Sequence, residues 1–366
     1  MRKYGENFVK KKILYLGWLG FNNLGDELMW EIFREICKKE VDLTKVEIIP
    51  SNKRVDKNVF NGFDAVILGG GSLLVPNYID LLYHAMKQHK KIIIWGSGVD
   101  WIEKPKLIKI QNNKRVANHF FSPSVEEKLR EIIKYASYVG VRGPLTYKVL
   151  SQMGVDMQKV EQSGDPGLLL KNNQNRSAPL INGWNSNENI IGVNWGTALN
   201  RIYGRNEQAV EKQLIKAINQ LINQGYKIYI YNVWEEDVAV NKRLYQKLQH
   251  SNNVKWSPNL YHQDELLKLI KRFVFTINLK LHANVISACA GIPFIALGYR
   301  FKVFDFAKSI GLSKMVISTD SNMIDKEILK LAREIQRNKP QMIKRFETSS
   351  FKSREKLTAA IKKYVK

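Results

Sequence analysis

The chain has 366 residues, enough for two domains that each bury their own core. It is 44% hydrophobic and 25% charged, as in globular proteins, and no apolar run approaches the roughly 20 residues of a membrane-spanning helix. A formal net charge of +24 leaves nucleic acid, an anionic membrane surface or an anionic substrate as partners; without a zinc finger, an aromatic RNA-binding motif or a basic low-complexity arm, nucleic acid is set aside.

The first residues, Met1-Arg2-Lys3-Tyr4-Gly5-Glu6, lack the apolar core of a signal peptide. The two cysteines, Cys37 and Cys289, sit inside apolar helical patterns and read as buried thiols of a cytoplasmic protein. Strand patterns at 12–17, 46–50, 65–68, 91–95 and 137–141 alternate with helical ones at 26–39, 78–88, 125–134 and 144–153. Such alternation predicts a parallel sheet covered on both faces. Residues 171–189 are polar, Asn-rich and without period, which marks a linker. Alternation resumes with strands at 190–195 and 227–231 and helices at 207–223, 237–249 and 264–272.

Residues 273–306 form one further βαβ unit. A buried strand at 273–277 precedes Asn278, Lys280 and His282; a helix follows over 283–290, stopped by Gly291 with Pro293 beyond. A second strand at 294–297 leads to Gly298, Tyr299 and Arg300, and a last strand covers 315–318. The end of the chain, 321–366, holds 13 Lys/Arg against 5 Asp/Glu at helical spacing, which predicts amphipathic basic helices. They read either as solvated faces or as a surface for anionic lipid.

Glycines gather at the ends of successive strands: Gly17 and Gly20 before Asn23 and Asp26, then Gly69-Gly70-Gly71-Ser72, then Gly96 and Gly98. Open α/β sheets bind ligands at that edge, where glycine admits close backbone approach and helix N-termini offer N–H groups. The plain alternative is a set of tight turns, with Asp26 and Ser72 as helix caps. Arg142, at a strand end before Gly143-Pro144, suits a phosphate or carboxylate, or an ion pair with Asp165. His84, His89, His119, His250 and His262 have no metal-ligand spacing, and no metal site is expected.

Five motifs in order carry a resemblance: GWLGFNNLGDE at 17–27, GGGSLL at 69–74, VRGPLTYKVLSQMG at 141–154, GDPGLLL at 164–170, and NLKLHA with AGIP and GYRFKV between 278 and 303. The chain resembles polysaccharide pyruvyl transferases, which move pyruvate from phosphoenolpyruvate onto sugar hydroxyls as a ketal. The resemblance implies two Rossmann-like α/β domains facing across a cleft, as in GT-B glycosyltransferases. The expected spans are 1–175 on the acceptor side, 190–340 on the donor side, and basic helices at 341–366.

It also implies His282 and Asp26 as the catalytic pair, with His282 as proton donor. The substrate-binding set is then Lys280, Leu281, Arg142, Arg300, Asn194, Gly20, Asn23, Gly70, Gly71, Gly96 and Asp165. Phosphoenolpyruvate is the co-substrate, with no other cofactor. The acceptor is a sugar, lipid-linked in one version, with peripheral membrane contact. The chain departs from the family in two places: Lys280 stands where Arg precedes the histidine by two, and Asn194-Trp195 where the family often has Arg, with Arg201 and Arg205 following. The rival functions are a GT-B glycosyltransferase using a nucleotide sugar and a basic, non-catalytic binder of anionic polymer or membrane.

Overall fold

The computed structural model describes residues 10–51, 55–171, 176–185, 188–248 and 252–366. His250 and parts of the expected linker, 172–175 and 186–187, lie outside the described residues.

The first sheet is built from β1 (Lys11–Leu16), β2 (Val46–Pro50), β3 (Ala65–Leu68), β4 (Gly71–Leu74), β5 (Lys91–Val99), β6 (Tyr138–Val141) and β7 (Val160–Gln162). It has the order β2-β1-β3-β5-β6-β7, with β4 also paired to β5, and its pairings are parallel. Interleaved are α1 (Leu24–Glu40), α2 (Pro76–Lys87), α3 (Lys104–Gln111), α4 (Pro123–Tyr135) and α5 (Pro144–Gln152). Both faces of β1 are buried: Ile13 and Tyr15 belong to one apolar cluster, Leu14 and Leu16 to another. A strand covered on both sides is why this segment reads as an unbroken apolar run rather than an alternating one.

The second sheet is built from β8 (Ile190–Asn194), β9 (Lys227–Asn232), β10 (Val254–Leu260), β11 (Phe275–Asn278), β12 (Phe294–Gly298) and β13 (Val316–Ser318), parallel in the order β10-β9-β8-β11-β12-β13. Its helices are α6 (Glu207–Asn223), α7 (Asp237–Leu248), α8 (Gln263–Ile270), α9 (Leu281–Cys289) and α10 (Phe301–Ser309). In both sheets, chain order doubles back at the first strand, and that reversal opens a crevice at the strands' carboxyl ends. The strands β4 and β10 and the helices α3 and α10 have no counterpart in the sequence reading.

The stretch read from sequence as basic helices at 341–366 is part of one 41-residue helix, α11 (Ile324–Tyr364), which continues through Pro340. It starts against the second domain and ends on the first. The Trp95 indole donates to Leu357 O at 3.0 Å, and Lys91 Nζ to Tyr364 O at 2.6 Å. Its apolar face, including Ile335, Phe346 and Leu357, joins the cluster that also holds Ile13 and Tyr15 of the first domain and Phe294 of the second. The two domains thus share one continuous apolar core along this helix.

Candidate active site

The N-terminal turns of α1 and α9, one from each domain, meet at His282. A Cβ placed on Gly25 would lie 1.7 Å from His282 Nδ1, so the imidazole occupies the volume that a side chain at residue 25 would need. Gly25 is fixed there because Asn23 caps α1, its side chain accepting the Gly25 N–H at 3.1 Å. The loop before α1 is clasped to the second domain: Leu24 N–H donates to Val233 O at 3.0 Å, and the Trp234 indole to Phe21 O at 3.1 Å. His282 Nε2 is buried without a hydrogen-bond partner. Burial, followed by the charges of Lys302 and Arg142, pushes its pKa down to about 3, so the ring is neutral at physiological pH.

Asp26, in the first turn of α1, is half-buried, and its Oδ1 lies 3.6 Å from the Cβ position of Gly71, where φ is +113°. Burial pushes its carboxyl up to about 7, against the opposing pull of Lys302, Arg300 and Arg142. A carboxyl near 7 beside a neutral, unpartnered imidazole is a pair able to hold and hand over a proton at neutral pH.

Three cations surround the pair. Lys302, in the first turn of α10, has no carboxylate partner among the described residues; its ammonium lies 5.5 Å from the Tyr299 ring. Arg300 is the N-cap residue of α10; it reaches Asp100 of the first domain at 3.1 Å and lies 4.0 Å over the Trp101 ring, leaving Nε unpartnered. Arg142 is wholly buried, with Nη1 donating to Ser72 Oγ at 3.2 Å and Nε 4.0 Å from Asp165 Oδ2. Its Nε and Nη2 have no hydrogen-bond partner, and Gly98 leaves room for the guanidinium, since a Cβ there would be 2.8 Å from Nη2. Burial raises the Asp165 carboxyl, opposed by the Arg142 charge.

His282, Asp26, Gly71, Arg142, Arg300 and Asp165 thus come together. The other expected residues are engaged elsewhere. Leu281 is 2% exposed, its side chain in the core. Asn194 is buried at the end of β8, donating to Tyr231 O at 3.1 Å and accepting the Lys280 N–H at 3.2 Å. Lys280 Nζ donates to Thr197 O at 2.6 Å and pairs with Asp237 at 3.0 Å over the Trp234 ring. Gly20 donates its N–H to Glu27 at 2.7 Å. At Gly70 and Gly96 the space of a side chain is filled by Pro166, 2.8 and 2.4 Å from the Cβ positions, so these glycines serve packing. Lys302 and Asp100 escaped the sequence reading, although Lys302 lies within the GYRFKV run.

The sequence pattern of the family described as Polysaccharide pyruvyl transferase matches residues 23–300. The chain belongs to this family. It is similar to the amylovoran biosynthesis protein AmsJ of Erwinia amylovora, 25% identical over 279 residues that make up 71% of this chain. The match spans 63% of that relative's length. Among solved structures, the fold is similar to an S. aureus MnaA–UDP complex (TM-score 0.64, 11% identity, 97% of each chain). It is also similar to a UDP-N-acetylglucosamine 2-epimerase described as putative, from Listeria monocytogenes (0.64, 12%, 98% of this chain and 97% of that one). A third is Anabaena Alr3699/HepE with UDP and glucose (0.53, 8%, 97% and 98%). The architecture is therefore GT-B-like: two parallel-sheet α/β domains. Among the described residues no helix is long and apolar enough to cross a membrane, and no group of three or more His, Cys, Asp or Glu is placed to hold a metal ion.

Proposed function

We propose that this chain transfers pyruvate from phosphoenolpyruvate onto hydroxyls of a sugar in a cell-surface polysaccharide or its lipid-linked precursor, closing a ketal. The observation that carries the reading, within this family, is the meeting at two helix N-termini of an unpartnered neutral imidazole and a carboxyl with a pKa near 7, with three cations around them. The donor carries a carboxylate and a phosphate; Arg142, Arg300 and Lys302 supply the opposite charge.

The chemistry assigns the roles. The methylene carbon of the donor takes the Asp26 proton, leaving positive charge at C2. A first sugar hydroxyl adds to C2 and gives its proton to His282 Nε2. A second hydroxyl then replaces phosphate at C2, and its proton leaves with the phosphate; the sum is donor plus diol giving ketal plus inorganic phosphate. Asp26 regains a proton by way of His282 and solvent. This division departs from the sequence expectation, which made His282 the proton donor; a ring held near pKa 3 is an acceptor before any anion arrives. The bound donor's negative charge offsets Lys302 and Arg142 and raises the ring's basicity when the proton must be received. Reaction at the cytoplasmic face, with the basic face of α11 against anionic lipid, completes the proposal.

Thermal melting with phosphoenolpyruvate, and release of phosphate that requires a sugar acceptor, test the proposal. A donor-dependent rise in Tm that weakens with salt is expected. Stabilisation by a nucleotide sugar, with no response to phosphoenolpyruvate, overturns it in favour of glycosyl transfer.

A further inference from the structure

A second concave site holds neither His282 nor Asp26 but shares Arg142 with the cluster around them. It is a cavity of about 340 Å³ where α11 crosses between the domains, walled by the turn after β7, by the end of α10 and by α11 itself. Three lysines line it: Lys308 from the second domain, and Lys352 and Lys356 from α11. Lys356 is engaged by Glu161 at 3.4 Å and by Gln162 O at 2.8 Å. Lys308 and Lys352 have neither a hydrogen-bonding nor a carboxylate partner for their ammonium groups among the described residues. No carboxylate lines the cavity, whereas wholly buried Arg142, whose Nε and Nη2 are unpartnered, forms part of its wall.

The remaining wall is rich in hydroxyls. Ser309 Oγ donates to Phe306 O at 2.7 Å and Thr348 Oγ1 to Lys344 O at 2.8 Å. Their hydrogens are thereby taken, and their oxygens are left to accept hydrogen bonds from a ligand. Ser353 stands against Gly164, where a Cβ would lie 2.0 Å from its Oγ; any side chain there would close this corner.

We propose that this cavity binds a saccharide bearing a carboxylate, and specifically the pyruvate ketal already placed on the polymer. Three features select that ligand over free phosphate. The volume suits one or two sugar rings rather than a five-atom anion. The hydroxyl wall accepts hydrogen bonds from sugar hydroxyls, which phosphate at neutral pH supplies poorly. The cations without a partner at the accessible wall, Lys308 and Lys352, are point charges, and the one arginine of the lining, Arg142, is wholly buried, so no arginine fork is presented to clamp a phosphate. The inference rests on the ketal reading above: each turnover adds one carboxylate to the acceptor, and a cationic site near the reactive pair retains the modified polymer as the next sugar is presented.

The test uses the whole chain with charge reversal at two residues outside the reactive cluster, Lys308→Glu with Lys352→Glu. Binding of a ketal-bearing oligosaccharide is measured by calorimetry, beside the same oligosaccharide stripped of its ketals by mild acid and beside inorganic phosphate. The expected result is ketal binding at least tenfold tighter than that of the stripped form, and a loss of at least tenfold in the double variant. The rise in Tm given by phosphoenolpyruvate should stay within about 1 °C of the unmutated chain's. Equal binding of stripped and ketal-bearing forms overturns the proposal, as does ketal binding indifferent to the charge reversal. Phosphate binding that the reversal abolishes, with no ketal binding, also overturns it and makes this a phosphate site. A chain that never responds to phosphoenolpyruvate sinks the donor reading instead, which this binding experiment does not require. Should the double variant melt early, Lys308→Gln with Lys352→Gln repeats the measurement without charge reversal.

Discussion

His282 Nδ1 stands 1.7 Å from where the Cβ of any side chain at residue 25 would be. The first turn of α1 is thus shaped around an imidazole from the other domain. Alanine favours a helix over glycine by about 1 kcal/mol, so Gly25→Ala would stabilise α1 taken alone. In this protein it must displace His282. The expected outcome is a fall in turnover of roughly 10²-fold or more, with far-ultraviolet circular dichroism unchanged. A Gly25→Ala enzyme with full turnover would show that the ring's position is immaterial.

Asp26 and His282 should give opposite pH slopes to stability. The Asp26 carboxyl is raised in the fold from its ordinary value of 3.8 to about 7. The native state therefore holds a proton that the unfolded chain has lost, and stability falls as pH rises through that window. Asp26→Asn removes the effect and should gain about 2 kcal/mol over the unmutated chain above pH 7, with solvent screening of a half-buried side chain allowed for, and little at pH 4. His282 is lowered from 6.5 to about 3, so the unfolded chain binds the extra proton and stability falls as pH drops through that window. His282→Asn should gain relative stability near pH 4 and none at pH 8. Denaturant melts of both variants at pH 4, 6 and 8 read the two slopes, and slopes of the same sign would contradict the assignment. Activity should fall in both.

The element rhythm was legible in the sequence because β1, β3 and β8 are buried on both faces and read as short apolar runs. The helix α6 matches its expected span, 207–223, because Glu207 at its start and Gly225 past its end punctuate it. What single-chain patterning cannot show is which residue, distant in sequence, fills a gap. Gly70 and Gly96 were correctly seen as close approaches, yet the approaching group is Pro166 rather than a ligand. Lys280 looked like a free cation because Asp237, 43 positions before it, reaches it only through the fold. The strand β4 hid behind the glycines of GGGSLL, which weaken any strand signal.

Asp305 gives the domain interface a second anchor that no local motif announced. From α10 it caps α5 of the first domain, accepting from Leu145 N at 2.7 Å, Thr146 N at 3.3 Å and Thr146 Oγ1 at 2.6 Å. It is fully buried, and Gly143 leaves it room, since a Cβ there would be 2.3 Å from Oδ1. Asp305→Ala strands buried donors at a helix N-terminus and should cost about 3 kcal/mol. Asp305→Asn, which keeps one acceptor, should cost less. Chemical denaturation ranks the two, and equal costs would mean that volume rather than capping is what residue 305 supplies.

Lys280 is held by partners of its own domain, apart from the three cations assigned to the donor. An ammonium has three hydrogens to direct. Here they face Thr197 O at 2.6 Å, Asp237 Oδ1 at 3.0 Å and the Trp234 ring at 4.4 Å. Asp237 is wholly buried, raised to about 6 chiefly by that burial, with Oδ2 unpartnered. Lys280→Met therefore leaves a buried carboxylate without its cation and should cost about 3–5 kcal/mol. Adding Asp237→Asn removes the stranded charge and should recover most of the loss, whereas two independent effects would simply add. The same pair of variants decides the role of the lysine. As a positioning residue it holds Trp234, whose indole donates to Phe21 O in the loop leading to Asp26, so the double variant should keep the Tm rise given by phosphoenolpyruvate. Its effect on the reaction should then appear in kcat more than in KM, because the donor's charges are met by Arg142, Arg300 and Lys302. A double variant that folds as stably as the parent yet shows no response to phosphoenolpyruvate would return Lys280 to the donor-binding set. Arginine at this position, with its longer planar fork, should satisfy Asp237 but crowd Trp234, so Lys280→Arg should retain stability better than activity.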